Sequence, residues 1–118
     1  MSKLGRRWFV RLSVAAEQDF RNIIEWTSAQ FGASQALTYA AAISQAFEAL
    51  SVGPDVAGAR TRDEISPGLL SVQVKLGRRR GSHLVFFRAS ASDREVMVTR
   101  ILHTAMNAKR HLKNDPKM

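Results

Sequence analysis

The sequence predicts an α+β fold of two layers, in which an antiparallel helix hairpin packs on a small, mainly antiparallel sheet. Two alanine-rich segments with apolar residues at helical spacing lie in the first half of the chain, separated by one short turn. Three segments rich in β-branched and aromatic residues follow in the second half. The 118 residues contain no repeat and no linker, so they are expected to form one domain spanning residues 1–118. The predicted order is β-α-α-β-β-β, followed by a short C-terminal helix or tail.

The first half of the chain supplies one strand and both helices. Residues 8–12 are rich in strand formers, and Ser13 has the short hydroxyl side chain of a helix N-cap. Gly32 ends the first helix, and the short turn there predicts that the two helices pack antiparallel. Apolar residues at helical spacing predict one buried stripe on each helix. The stripes consist of Phe20, Ile23, Ile24, Thr27 and Phe31, and of Leu37, Ala40, Ala41, Ile43, Phe47 and Leu50.

The second half supplies the other three strands. Residues 69–74 end in an alternation of apolar and polar side chains, which is typical of a half-buried strand. A turn with three consecutive arginines is predicted over residues 76–81. The next two strands, residues 83–88 and 95–102, are the most apolar, β-branched and aromatic part of the sequence, so we expect them in the middle of the sheet. Residues 113–118 are expected to fray.

Composition and charge narrow the classes of function. The chain is 45% hydrophobic and 24% charged, like an ordinary globular protein. It has no cysteine, which excludes disulfides and thiolate metal sites. No apolar run reaches the length of a signal peptide or a membrane span, so we expect a cytoplasmic protein without a membrane partner. The net charge of +8 is concentrated at the N-terminus and in the second half. That asymmetry favours an anionic partner, a nucleic acid or an acidic protein segment, over a surface kept only for solubility.

Four blocks of the sequence, in this order, match the motifs of a known family. They are residues 12–20 (LSVAAEQDF, against L-S-x-x-A-x-x-D-h, where h is hydrophobic), 62–71 (RDEISPGLLS, against R-x-E-h-x-P-G-L-R-S), 83–88 (HLVFFR, against h-h-h-F-Y-R) and 101–112 (ILHTAMNAKRHL, against h-L-H-x-x-M-D-x-x-x-x-L). In these blocks the chain resembles ParE-type toxins of the RelE/ParE toxin superfamily. The resemblance covers residues 8–112. The chain departs from the pattern at Leu70, Phe87 and Asn107, where arginine, tyrosine and aspartate are common.

The resemblance implies the toxin component of a type II toxin–antitoxin system, with the α+β fold predicted above. ParE-branch toxins inhibit DNA gyrase, whereas RelE-branch toxins cleave mRNA on the ribosome. Both are held inactive by an antitoxin whose C-terminal segment wraps over the toxin. The favoured interpretation is therefore a gyrase-binding toxin in a hetero-oligomer with its cognate antitoxin. The alternatives are a RelE-like mRNA interferase and a non-toxic, basic nucleic-acid-binding module.

A ribonuclease would need a general base, a general acid and cations that stabilise the phosphorane. The candidates are Arg100, His103 and His111, because histidine titrates near neutrality. The structural alternative is that His103 hydrogen-bonds backbone at a strand end and that His111 is an exposed tail residue. Tyr39, the one tyrosine, lies inside a predicted helix, which counts against a RelE-like active site. The sequence also lacks metal-ligand clusters, a phosphate-binding glycine motif and a nucleophile elbow. We therefore expect a binding protein rather than an enzyme, without cofactor or metal.

The binding hypothesis assigns two sets of contact residues. The set expected to contact the target combines cationic and apolar side chains of the C-terminal region: Arg100, Met106, Lys109, Arg110 and His111. The set expected to contact the antitoxin combines apolar residues of the helices with arginines of the sheet: Trp26, Phe31, Leu37, Arg78, Arg79 and Arg88. The alternative for the arginine turn is a solvated hairpin tip. Few aromatic residues lie near these arginines, so nucleic acid is expected to bind only indirectly or weakly.

Overall fold

Two helices cover one face of a five-stranded mixed sheet, which confirms the predicted α+β fold. The computed structural model describes residues 7–112, so the predicted fraying of residues 113–118 lies outside the described residues. The elements in chain order are β1 (Phe9–Leu12), α1 (Val14–Phe31), α2 (Ala33–Leu50), β2 (Arg60–Thr61), β3 (Leu70–Leu76), β4 (Arg79–Ser90), β5 (Glu95–His103) and α3 (Ala108–Leu112). The two-residue strand β2 was not predicted, because it is too short to carry a periodic pattern. Within this range no helix is long and apolar enough to cross a membrane.

The strands lie in the order β1-β5-β4-β3-β2, so β4 and β5 are interior strands, as predicted. β1 runs parallel to β5, whereas every other neighbouring pair is antiparallel. β4 begins at Arg79, and only Gly77 and Arg78 form the turn before it. The predicted turn over residues 76–81 was therefore too long, since arginines on an exposed strand end have the same sequence pattern as arginines in a loop.

The main core lies between the helices and the sheet. Ser13 caps α1 by accepting a hydrogen bond from the Ala16 N–H, and its hydroxyl donates to the Thr99 carbonyl, which ties the helix start to β5. Gly32 has φ of 93°, a conformation that favours glycine, and joins the two helices. The fully buried side chains of this core come from both layers: Ala16, Ile43, Leu50, Val74, Val85, Phe87, Val96 and Val98.

Three residues assigned to the buried helix stripes are exposed: Ala41, and the large side chains of Phe31 and Leu37. Phe31 and Leu37 are 64% and 73% exposed, so this part of the stripe prediction was wrong. Both lie close to the turn between α1 and α2, whereas the stripe residues that pack against the sheet, such as Phe20 and Ile43, lie farther along each helix. Periodicity identifies the apolar face of a helix but not how far the covering layer extends along it.

The opposite face of the sheet carries a second, smaller core. Leu69, Phe86, Leu102 and Leu112 are buried there, with α3 supplying Leu112. Arg88 is 3% exposed; its guanidinium donates hydrogen bonds to the Pro67 carbonyl at 2.7 Å and to Ser66 Oγ at 2.6 Å. The structure thus contradicts the assignment of Arg88 to an antitoxin surface, because this side chain fixes the loop before β3 instead.

Candidate functional site

A groove, here called the hairpin groove, runs between the helix hairpin and the end of β5. It has two lobes of about 450 and 280 Å3, which share Trp26, His83 and His103. The larger lobe is lined mainly by apolar side chains, among them Ile23, Ile101 and Met106. The smaller lobe extends towards the tip of the hairpin, where Phe31 and Leu76 line it.

Large apolar side chains are exposed along this groove. Trp26 is 59% exposed and packs edge to face with Phe31, with ring centroids 5.8 Å apart. Met106 is also exposed, at the other end of the groove, and Leu37 is exposed on the neighbouring helix α2. Exposed apolar side chains grouped around a groove are typical of surfaces that bind another protein. Among the residues predicted to contact the antitoxin, Trp26 and Phe31 are in direct contact with each other.

A tyrosine and two histidines lie at the centre of the groove. Tyr39 Oη is 2.7 Å from His83 Nδ1 and accepts a hydrogen bond from the Ser82 N–H. The rings of His83 and His103 meet edge to face at 5.2 Å. Tyr39 can reach β4 so closely because Gly81 has no side chain; a Cβ there would be 3.0 Å from the tyrosine oxygen.

The protonation states in this cluster follow from burial. Burial, and secondly the neighbouring His103, lower the pKa of His83 to about 4. Burial raises the pKa of Tyr39. Near neutral pH His83 is therefore uncharged, and the tautomer of its ring decides whether Tyr39 Oη or His83 Nδ1 is the donor in the hydrogen bond between them. The sequence analysis missed this contact, because Tyr39 and His83 are far apart in the chain and no local pattern joins them.

Arg100 forms a structural ion pair. Its Nε and Nη2 donate to the two carboxylate oxygens of Asp19 at 2.7 and 2.9 Å, and the same carboxylate accepts the Ile101 N–H. These hydrogen bonds to Asp19 raise the pKa of Arg100. The bidentate pair holds α1 against β5, so the charge of Arg100 is already compensated within the protein.

The remaining predicted residues lie on different parts of the surface. His103 Nδ1 accepts the Ala105 N–H at 3.0 Å, which is the structural role weighed for it. Lys109, Arg110 and His111 are exposed on α3. In the described part of the chain no hydrogen bond or ring contact joins His111 to His103 or Arg100, so the structure does not assemble these three residues into one catalytic group.

The arginine turn lies next to the smaller lobe. Leu76 lines that lobe, and the exposed Arg78 and Arg79 follow it at the turn and at the start of β4. Cationic side chains therefore adjoin an apolar groove. Across residues 7–112 no group of three histidine, cysteine, aspartate or glutamate side chains is arranged to hold a metal ion.

The fold has counterparts among solved structures. A chain of the chromosomal ParDE TA system from P. aeruginosa superposes with a TM-score of 0.68 at 18% identity, covering 81% of this chain and 95% of that one. A chain of the toxin–antitoxin complex RelBE2 from Mycobacterium tuberculosis superposes with a TM-score of 0.55 at 24% identity, covering 85% and 94%. At these identities the likeness establishes the fold.

The sequence comparisons establish the family. The chain is 32% identical over 105 residues to Toxin ParE1 of Caulobacter vibrioides, and the match covers 86% of this chain and 95% of that protein. Residues 10–108 match the family model described as "ParE toxin of type II toxin-antitoxin system, parDE". The chain therefore belongs to the ParE toxin family of type II toxin–antitoxin systems.

Proposed function

We propose that this protein is a cytoplasmic toxin that inhibits DNA gyrase by binding it and that a cognate antitoxin neutralises it. The observation that carries the proposal is the match to the ParE toxin family over residues 10–108. The resemblance of the motif blocks to ParE-branch toxins supplies gyrase as the target. The absence of an assembled general acid and base among the described residues is consistent with inhibition by binding rather than by chemistry.

The hairpin groove is the surface we assign to the antitoxin. An antitoxin segment that fits it would offer apolar side chains to Trp26 and Phe31 and carboxylates to Arg78 and Arg79. Edge-to-face packing holds the Trp26 ring in a defined position. A large aromatic anchor of this kind typically carries much of the binding free energy at an interface. Leu37 would extend the contact along α2, and Arg88 is excluded because it is buried.

The antitoxin would neutralise the toxin because its binding surface overlaps the surface assigned to gyrase. Met106, assigned to the target, lines the same groove as Trp26, assigned to the antitoxin. An antitoxin that fills the groove would therefore cover part of the gyrase-binding surface. Lys109, Arg110 and His111 would complete that surface from α3, while Arg100 contributes by positioning β5 through Asp19.

The test measures supercoiling by gyrase in the presence of the purified full chain. We expect the chain to inhibit supercoiling and to leave mRNA on translating ribosomes intact, and the antitoxin, identified as the small protein encoded beside the toxin gene, to relieve the inhibition. Trp26→Ser should still inhibit gyrase but should bind the antitoxin roughly 30-fold more weakly, because it removes the aromatic anchor.

Val52→Ser is the matched control, since Val52 is 67% exposed but does not line the hairpin groove. It should behave like the wild type in both assays. Cleavage of ribosome-bound mRNA without any effect on gyrase would instead identify an mRNA interferase. An absence of both activities, with no growth arrest on expression, would leave the non-toxic nucleic-acid-binding module.

A further inference from the structure

A second groove, here called the cationic groove, lies on the sheet face that the helix hairpin does not cover. Its volume is about 270 Å3. Four cationic side chains line it, together with the polar side chains of Ser71, Gln73 and Thr104. The four are Arg60, Arg62, Lys75 and Arg80.

The strand register explains why these charges converge. Arg60 is the partner of Ser71 across β2 and β3, and Lys75 is the partner of Arg80 across β3 and β4. Like charges directly opposite each other destabilise a sheet. Arg62 is oriented by its Nε–H, which donates to Ser71 Oγ at 2.8 Å. The fold thus brings four positive charges together at a cost to its own stability.

Among residues 7–112, acidic side chains compensate little of this charge. No aspartate or glutamate lines the groove in the part of the chain that the structure describes, and there Arg60, Lys75 and Arg80 form no ion pair. Glu64, itself mostly exposed, approaches Arg62 at 3.8 Å. A ligand with several negative charges would supply the missing compensation.

The lining also identifies the kind of anion. Of the described residues, no aromatic side chain lines the groove, so bases cannot stack there as they do in single-strand binding sites. Leu84 is the single large apolar side chain, which gives an acidic protein segment little surface to anchor on. Guanidinium, ammonium and hydroxyl donors are the groups that contact phosphate in protein–DNA interfaces.

We infer that the cationic groove binds the phosphate backbone of duplex DNA, without reading its sequence. Because the groove and the hairpin groove lie on opposite faces of the sheet, DNA contact does not require the surface assigned to the antitoxin. The DNA segment held by gyrase is the natural source of the duplex, and this last point alone rests on the proposed function.

The test uses the full chain, without gyrase, and a fluorescent duplex of about 20 base pairs titrated by anisotropy between about 50 and 200 mM salt. Four phosphate contacts predict a slope of log K against log salt of roughly −3 to −4. Lys75→Gln/Arg80→Gln should make that slope less steep by about 2 and weaken binding more than tenfold at low salt. The melting temperature of this variant should be unchanged or raised, since the like-charge pair is removed.

Arg11→Gln/Arg21→Gln is the matched control, because it removes the same charge from residues that do not line the groove. It should keep the wild-type slope. An equal loss of affinity in both double variants would show that the duplex binds to the positive charge of the protein in general and not to the cationic groove. Tighter binding of single-stranded DNA or RNA, or of a polyglutamate peptide, would overturn the duplex assignment. Because gyrase is absent, failure here is distinguishable from failure of the proposed inhibition.

Discussion

The two faces of the sheet differ in the chemistry of the grooves that they carry. On the helix side, the hairpin groove exposes aromatic and apolar side chains; near neutral pH its His83 is uncharged, and its Asp19 is paired with Arg100. On the other side, the cationic groove presents four positive charges, of which only Arg62 has an acidic partner, Glu64, among the described residues. The difference follows from strand geometry, since successive residues of a strand point to opposite faces. In β3, Val72 and Val74 face the helices, whereas Lys75 lines the cationic groove.

Arginines on one strand differ in the same way. Arg80 and Arg88 both belong to β4 and both serve the face opposite the helices. Arg80 is exposed near the start of the strand. Arg88 is buried beside the second core and donates hydrogen bonds to the Pro67 carbonyl and Ser66 Oγ in the loop before β3. Position along the strand, and not residue type, separates a binding arginine from a structural one.

The largest expected effect on stability comes from removing the side chain of the buried arginine, Arg88. Arg88→Ala should lower the free energy of unfolding by about 3 kcal/mol, because it leaves a cavity and removes the donors to the Pro67 carbonyl and Ser66 Oγ. Urea denaturation measures the change. Arg79→Ala, on an exposed position of the same strand, should change stability by less than about 0.5 kcal/mol. Equal effects of the two variants would show that burial does not distinguish the two arginines.

Local chemistry made much of the fold predictable. Ser13 and Gly32 mark helix ends through their own side-chain and backbone preferences, and both act as predicted. The interior strands β4 and β5 stand out by their β-branched and aromatic content. The extent of burial was not predictable. Arg88 is enclosed by a loop about twenty residues away in sequence, and Phe31 lies where the helices have no cover.

The sites were predictable in part. Trp26 lies off the predicted apolar stripe, which fits a partner surface and a boundary core position equally, and the structure exposes it in the hairpin groove. Tyr39 and His83 meet through a hydrogen bond between two layers, which requires the packing of α2 on β4 to be known. The cationic groove depends on the strand register, so the sequence revealed its charges but not that they converge.

A smaller effect is expected from breaking the ion pair on the helix side. Asp19→Ala should cost about 2 kcal/mol, since Arg100 loses a bidentate partner and the Ile101 N–H loses its acceptor; partial exposure of the pair reduces the penalty of a fully buried one. Glu25→Ala, at an exposed position of the same helix, is the control. In a double-mutant cycle, Asp19→Ala/Arg100→Ala should be less destabilised than the sum of the single variants. Strict additivity would mean that the two side chains do not stabilise each other.

The smallest expected effect concerns the uncharged histidine of the hairpin groove. The folded-state pKa of His83 is lowered to about 4 from an ordinary value of 6.5, so the unfolded chain takes up a proton as the pH falls through about 6.5 while the folded chain does not. Stability should therefore be lost between about pH 6.5 and pH 4. Because the ring is partly exposed, the loss should be on the order of 1–2 kcal/mol.

His83→Asn tests this directly, since its amide oxygen can still accept the Tyr39 hydroxyl but does not titrate. Between about pH 7 and pH 5, urea denaturation should give a flatter dependence of stability on pH for this variant than for the wild type. His111→Asn, at an exposed position of α3, should keep the wild-type dependence. Identical profiles for wild type and His83→Asn would mean that the histidine is solvated and can charge freely. In that event His83 would carry positive charge in mild acid, and the contrast between the apolar hairpin groove and the cationic groove would hold only near neutral pH.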